Sequence, residues 1–168
     1  MRAHVIEGAD GCAFAAGRRA VAVVVDALRA SATAAALLHA GALEILAVPG
    51  VDGALAARGG RPDALLYGER GGLPPEGFDY GNSPAEARHA AGRRVVFTTT
   101  TGAGRLSQCA GAGAVLMGTV VNASAAVEAV CRLAGPDGEV VFIPAGLMDD
   151  PAFDAQEDEA ETQLRRIL

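Results

Sequence analysis

Val21-Ala-Val-Val-Val25 runs straight into Asp26-Ala-Leu-Arg29-Ala-Ser31. Five consecutive apolar residues, four of them valine, show no alternation of polar and apolar positions. Such a run reads as a short strand covered on both faces, the kind found inside a parallel sheet. A carboxylate directly after a buried strand is costly unless it is paired or binds something. Open α/β sheets bind ligands beyond the carboxyl ends of their strands. The residues that follow each strand are therefore the ones to read for function.

Outward from this strand, helical and extended segments alternate. Ser31 to Ala40 is rich in Ala and Leu and reads as a helix, stopped by Gly41. Leu43 to Val48 is a second strand, Val51 to Arg58 a helix and Ala64 to Tyr67 a short strand. Gly68 to Pro84 is rich in Gly and Pro and aperiodic, so it reads as a long loop, a class of segment often given over to function. Pro84 to Ala90 begins a helix, with Ser83 as N-cap and Glu86 at the capping-box position. Strands then follow at Arg94 to Thr98, Ala114 to Gly118 and Glu139 to Ile143. Helices are expected at Arg105 to Ala110, Asn122 to Leu133 and Asp154 to Leu168. The alternation implies a single α/β domain over 1–168, with a mainly parallel or mixed sheet between two helical layers.

Composition agrees. Half of the 168 residues are hydrophobic, yet Trp is absent and aromatics are few, so small side chains must pack helices closely onto the sheet. The net charge is −6, and many acids lie between Asp149 and Glu161. Without them the body is near neutral, which argues against a nucleic-acid partner. No apolar run approaches the ~20 residues of a membrane span, and the N-terminus lacks a signal-peptide pattern. A soluble, cytoplasmic protein is expected. Cys12, Cys109 and Cys131 are far apart, without CxxC spacing, and read as reduced thiols. An Ala-rich helix face raises a homodimer as an expectation.

Polar and glycine residues gather after five strands. Asp26 reads as a magnesium ligand or, less readily, a nucleophile, with a helix cap or an ion pair with Arg29 as the plain alternative. Arg29 and Arg70 offer guanidinium forks that match phosphate, sulfonate or carboxylate oxygens, with structural ion pairs as the plain alternative. Thr98 to Gly104 offers hydroxyls and backbone N–H groups before a helix, an anion cradle without Walker A character, or simply a strand end. In Gly77-Phe-Asp79-Tyr-Gly-Asn82-Ser-Pro84, Asp79 and Asn82 could hold a metal or substrate, or form a turn that caps a helix. Glu157 and Asp158 belong to an acidic run that is otherwise a solvated face. His4, His39 and His89 show no zinc spacing, and no nucleophile elbow supports a serine triad.

These pieces occur together, and in this order, in one family. Asp26-Ala-Leu-Arg-Ala-Ser-Ala-Thr33 resembles its D-V-L-R-A-S-T segment. Gly68-Glu-Arg-Gly-Gly72 and Gly77-Phe-Asp-Tyr-Gly-Asn-Ser-Pro-Ala-Glu86 resemble G-E-R-G…G-F-D-x-G-N-S-P-x-E. Thr98-Thr-Thr100 with Gly102 resembles T-T-T-N-G-T, Gly118-Thr-Val-Val-Asn122 resembles G-S-x-x-N, and Ala145-Gly146 with Glu157-Asp158 resembles the A-G…E-D region. The chain is thus similar to the 2-phosphosulfolactate phosphatases (ComB) of coenzyme M biosynthesis. That resemblance implies a three-layer α/β/α fold, magnesium dependence and hydrolysis of a phosphate monoester. Thr101 and Ala103 stand where the family has Asn and Thr, and family members continue past the E-D motif whereas this chain stops at Leu168.

On this resemblance, Asp26, Arg29, Glu69 and Arg70 are the expected catalytic residues. Ser31, Asp79, Asn82, Thr99, Thr100, Thr101, Gly102 and Asn122 would contact a small phosphorylated acid. Mg2+ would be held by some of Asp26, Glu69, Asp79, Glu157 and Asp158. A hydrolase for another small phosphorylated or acidic metabolite, and a non-catalytic anion-binding protein, are the alternatives.

Overall fold

The computed structural model describes residues 1–146. The helix expected over 154–168, with Glu157 and Asp158, lies outside them. Seven strands and five α-helices alternate: β1 (Arg2–Val5), α1 (Gly8–Arg18), β2 (Val21–Val25), α2 (Ala30–His39), β3 (Glu44–Ala47), α3 (Val51–Gly59), β4 (Leu65–Gly68), β5 (Arg94–Thr98), α4 (Gly102–Gln108), β6 (Ala114–Gly118), α5 (Ala123–Ala134) and β7 (Glu139–Pro144). Pro84–Ala90 is a 3-10 helix. Its Glu86 carboxylate accepts from the Gly81 N–H at 3.1 Å rather than closing a capping box on Ser83.

All strand pairs are parallel, in two sheets of order β1-β7-β2-β6 and β3-β5-β4. The β2 strand lies between β6 and β7, with Val23 registered against Leu116 and Phe142. That central place explains why its sequence does not alternate. Successive side chains still point to opposite faces. Ala22 and Val24 pack with Cys12, Ala15 and Cys109 beneath α1 and α4, whereas Val21 and Val23 meet Val130 of α5. The smaller sheet repeats the scheme. Val95 and Phe97 face Ala30, Ala34 and Leu37 of α2, and Val96 faces Ala54 of α3. Each sheet is thus the middle of three layers.

The sequence reading missed β1 and α1. Their residues carry exposed polar groups along an edge strand, and only Gly11, Cys12 and Ala15 of α1 are buried. Among the described residues no helix is long and apolar enough to cross a membrane.

Candidate functional site

A cleft of about 430 Å³ opens where strands of both sheets end. Its walls come from the turn after β2 (Asp26, Leu28, Arg29), the segments after β4 (Glu69, Gly71, Gly72, Asn82), the start of the β5–α4 turn (Thr100, Thr101) and the end of β7 (Ala145, Gly146).

Asp26 is held by its own turn. Its N–H donates to Ser31 Oγ at 3.1 Å, and the Ala30 N–H donates to Oδ1 at 3.2 Å. Ser31 is fully buried and so shapes the turn from behind. Burial raises the Asp26 carboxyl above its ordinary value; the Ala30 and Gly102 N–H groups oppose this, and the Glu69 charge adds to it. The exposed Arg29 donates through Nη2 to Gly72 O at 3.4 Å, linking the β2 and β4 turns across the cleft.

Glu69 ties the turns after β4 and β5 together. Gly68 lets β4 approach β5, because a Cβ there would lie 2.2 Å from Thr98 O. The next residue therefore lands beside the Thr100 turn. Glu69 Oε1 accepts from Thr100 N–H at 2.8 Å and from its hydroxyl at 2.9 Å, while Oε2 accepts from Gly72 N–H at 2.9 Å. Burial alone would raise this carboxyl, but those three bonds and the charge of Arg70 outweigh it and hold it below the ordinary value.

Asn82 is 4% exposed, and its Oδ1 has no hydrogen-bond partner among the described residues. A buried amide oxygen in a cleft wall is an acceptor suited to a donor in the cleft. Thr101, 7% exposed, lines the same wall.

Other expected site residues lie behind the cleft or away from it. Arg70 turns back, donating to Thr98 Oγ1 at 3.0 Å and to the Glu69 carbonyl. Thr99 Oγ1 accepts from the Ala103 N–H at 3.1 Å. The Thr100, Gly102 and Ala103 N–H groups of the expected anion cradle are thus bonded to Glu69, Asp26 and Thr99. Asp79 accepts from Arg58 Nη1 and from Leu66 N–H, each at 2.8 Å, and does not line the cleft. Asn122 accepts from Thr119 N–H at 2.8 Å and donates to Met117 O at 3.0 Å, fixing the β6–α5 turn.

A model of the family described as 2-phosphosulpholactate phosphatase matches residues 13–155. The chain belongs to this family. A probable 2-phosphosulfolactate phosphatase of Deinococcus radiodurans is 47% identical over 131 residues, which is 75% of this chain and 53% of that one. One from Thermus thermophilus is 44% identical over 129 residues, 75% of this chain and 53% of the relative. One from Clostridium acetobutylicum is 32% identical over 157 residues, 92% of this chain and 66% of the relative. The chain thus spans about half the length of the first two.

The span matched to the 2-phosphosulpholactate phosphatase model contains every residue of the cleft wall. Arg105, on α4, escaped the sequence reading. It is 8% exposed, and its Nε donates to Ala145 O at 2.8 Å while Nη1 donates to Gln108 at 2.8 Å, so it anchors the β7 wall from behind. A lone Arg in an Ala- and Gly-rich helix was the available signal.

Proposed function

We propose that this chain hydrolyses a small phosphate monoester, with 2-phosphosulfolactate as the first substrate to test, and that the reaction depends on magnesium. Membership of the family supports this, and the observation that carries it is the meeting of Asp26, Glu69, Arg29 and Asn82 in one cleft. Asp26 and Glu69 are the carboxylates that suit a magnesium ion. Burial, with the Glu69 charge adding to it, raises Asp26, a cost that a hard cation relieves, and Mg2+ needs only one or two carboxylates beside water and phosphate oxygens. When bound, the ion supplies neutralisation of the phosphoryl oxygens.

The chain's own groups do the positioning. Arg29 meets an anionic oxygen with its guanidinium fork, and its exposure lets it reach an incoming substrate. Asn82 Oδ1 accepts a hydrogen bond from the attacking water. Glu69 keeps the β4 and β5 turns at fixed separation. Phosphoryl transfer asks mainly for such positioning and charge stabilisation. Thr101, where an amide stands in the family pattern, favours a second reading, in which a related phosphorylated acid is the better substrate.

Inorganic phosphate release from 2-phosphosulfolactate, and from monoesters lacking its sulfonate or its carboxylate, tests both. Release that needs magnesium and stops with EDTA is expected. No release from any of them would leave the non-catalytic anion-binding alternative.

A further inference from the structure

Behind the cleft, α1 and α4 bring two thiols together. Cys12 and Cys109 are 97 residues apart in sequence, yet their sulfurs lie 3.0 Å apart. They are 2% and 0% exposed. Gly111 permits the approach, since a Cβ there would stand 2.9 Å from Ala16 Cβ. Cys12 Sγ also donates to Arg105 O at 3.7 Å. Around them, Ala15, Ala20, Ala22, Val24, Val141 and Ile143 supply only apolar surface, so each sulfur has the other as its chief neighbour. No third ligand joins them: among the described residues no group of three or more His, Cys, Asp or Glu is arranged for a metal. A disulfide has S–S of about 2.05 Å, so about 1 Å of closure would join the pair.

We propose that Cys12 and Cys109 form an oxidisable dithiol, a modification site that a peroxide converts to an intramolecular disulfide. One thiol reduces hydrogen peroxide, becoming a sulfenic acid and releasing water. The other sulfur then displaces the sulfenic hydroxyl, its proton leaving with that group as a second water. Two electrons pass from the thiols to the peroxide. Ala110, Gly111 and Gly113 are exposed, so opening of the turn after α4 admits a small oxidant. Burial, reinforced by the Cys12 contact, pushes the Cys109 thiol up to about 12, so the reaction should quicken as pH rises. The bond would close a long loop and restrict the unfolded chain.

The test uses the whole chain carrying Cys131→Ser, because exposed Cys131 would otherwise link molecules. Native protein is treated with hydrogen peroxide, then denatured for thiol counting, mass measurement and peptide mapping. Expected are loss of both thiols, a mass decrease of about 2 Da, one hydrogen per thiol, a linked peptide pair and a higher unfolding temperature that dithiothreitol reverses. A further Cys109→Ser or Cys12→Ser substitution should abolish the mass decrease. Peptide mapping of oxidised wild type reads the same bond without relying on either variant. Persistence of both thiols, oxygen addition without a link, or a link formed only after denaturation would overturn the proposal.

Discussion

The Asp26 carboxylate occupies the space beside Gly102 that any side chain at position 102 would need. A Cβ there would lie 2.7 Å from Asp26 Oδ2 and 2.9 Å from Ala30 Cβ. Gly102→Ala therefore has to push the β2 turn away from the cleft. It should cost about 1–3 kcal/mol in stability, as overpacking does, and lower phosphate release about 100-fold through misplacement of Asp26. Gly53 on α3 supplies the contrast, because among the described residues nothing lies within 4 Å of an added Cβ. Gly53→Ala should gain about 0.5–1 kcal/mol and leave turnover alone. Chemical denaturation and phosphate assays on both variants decide the matter; equal behaviour would mean that the close approach to Asp26 is irrelevant.

Asp26 itself should trade stability for function. Burial makes its ionised form costly in the folded chain, and the Glu69 charge adds to the cost, so its carboxyl holds a proton more readily folded than unfolded. Its contribution to stability is therefore greatest below the ordinary value of 3.8 and is lost as pH rises through the raised folded value. Asp26→Asn lacks this dependence. The stability of wild type relative to the variant should improve as pH falls through that raised value, while phosphate release by the variant drops by about 100-fold or more. Parallel pH–stability curves would contradict the assigned environment of Asp26.

Glu69 carries the opposite sign. Its carboxyl is held low, so its contribution is fully present above 4.5 and is lost as pH falls through the depressed value. Glu69→Gln keeps one acceptor oxygen but turns an amide N–H2 toward the N–H of either Thr100 or Gly72, leaving that donor without its acceptor. At neutral pH it should cost about 1–3 kcal/mol, and the deficit should shrink in acid. Guanidinium unfolding across the acid range measures it. A deficit that grew on acidification would reverse the role given to Glu69.

Much of this architecture was legible because its signals are local. The Val21–Val25 run announced a doubly covered strand, and the structure places β2 between two neighbours. The edge strand β1 was not legible, since Arg2-Ala-His-Val5 is half polar and is fixed by pairing with β7, at the other end of the described chain. The division into two sheets was equally hidden, because which strands share an edge depends on contacts between distant segments. For the cleft, strand-end residues such as Asp26 and Glu69 could be named from position alone. Side-chain direction could not. Arg70 sits next to Glu69 in sequence yet bonds backward to Thr98, and the cradle N–H groups are taken by carboxylates whose proximity no spacing reveals.

Asp79 separates scaffold from site. It lies in the most family-like stretch of the sequence, but its carboxylate accepts from the Leu66 N–H of β4 and from Arg58 of α3. The Asp79 and Arg58 side chains are 29% and 34% exposed, so solvent weakens their ion pair. An Asn at this position keeps one acceptor oxygen for the strand and gives up the charge. Asp79→Asn should accordingly cost about 1 kcal/mol or less, lowering the unfolding temperature while the proposed phosphate release stays at the wild-type level below it. Steady-state kinetics beside a thermal melt provide the test. Loss of turnover with the melt unchanged would bring Asp79 into the cleft's chemistry, and would mean that the loop over 69–83 rearranges when substrate binds.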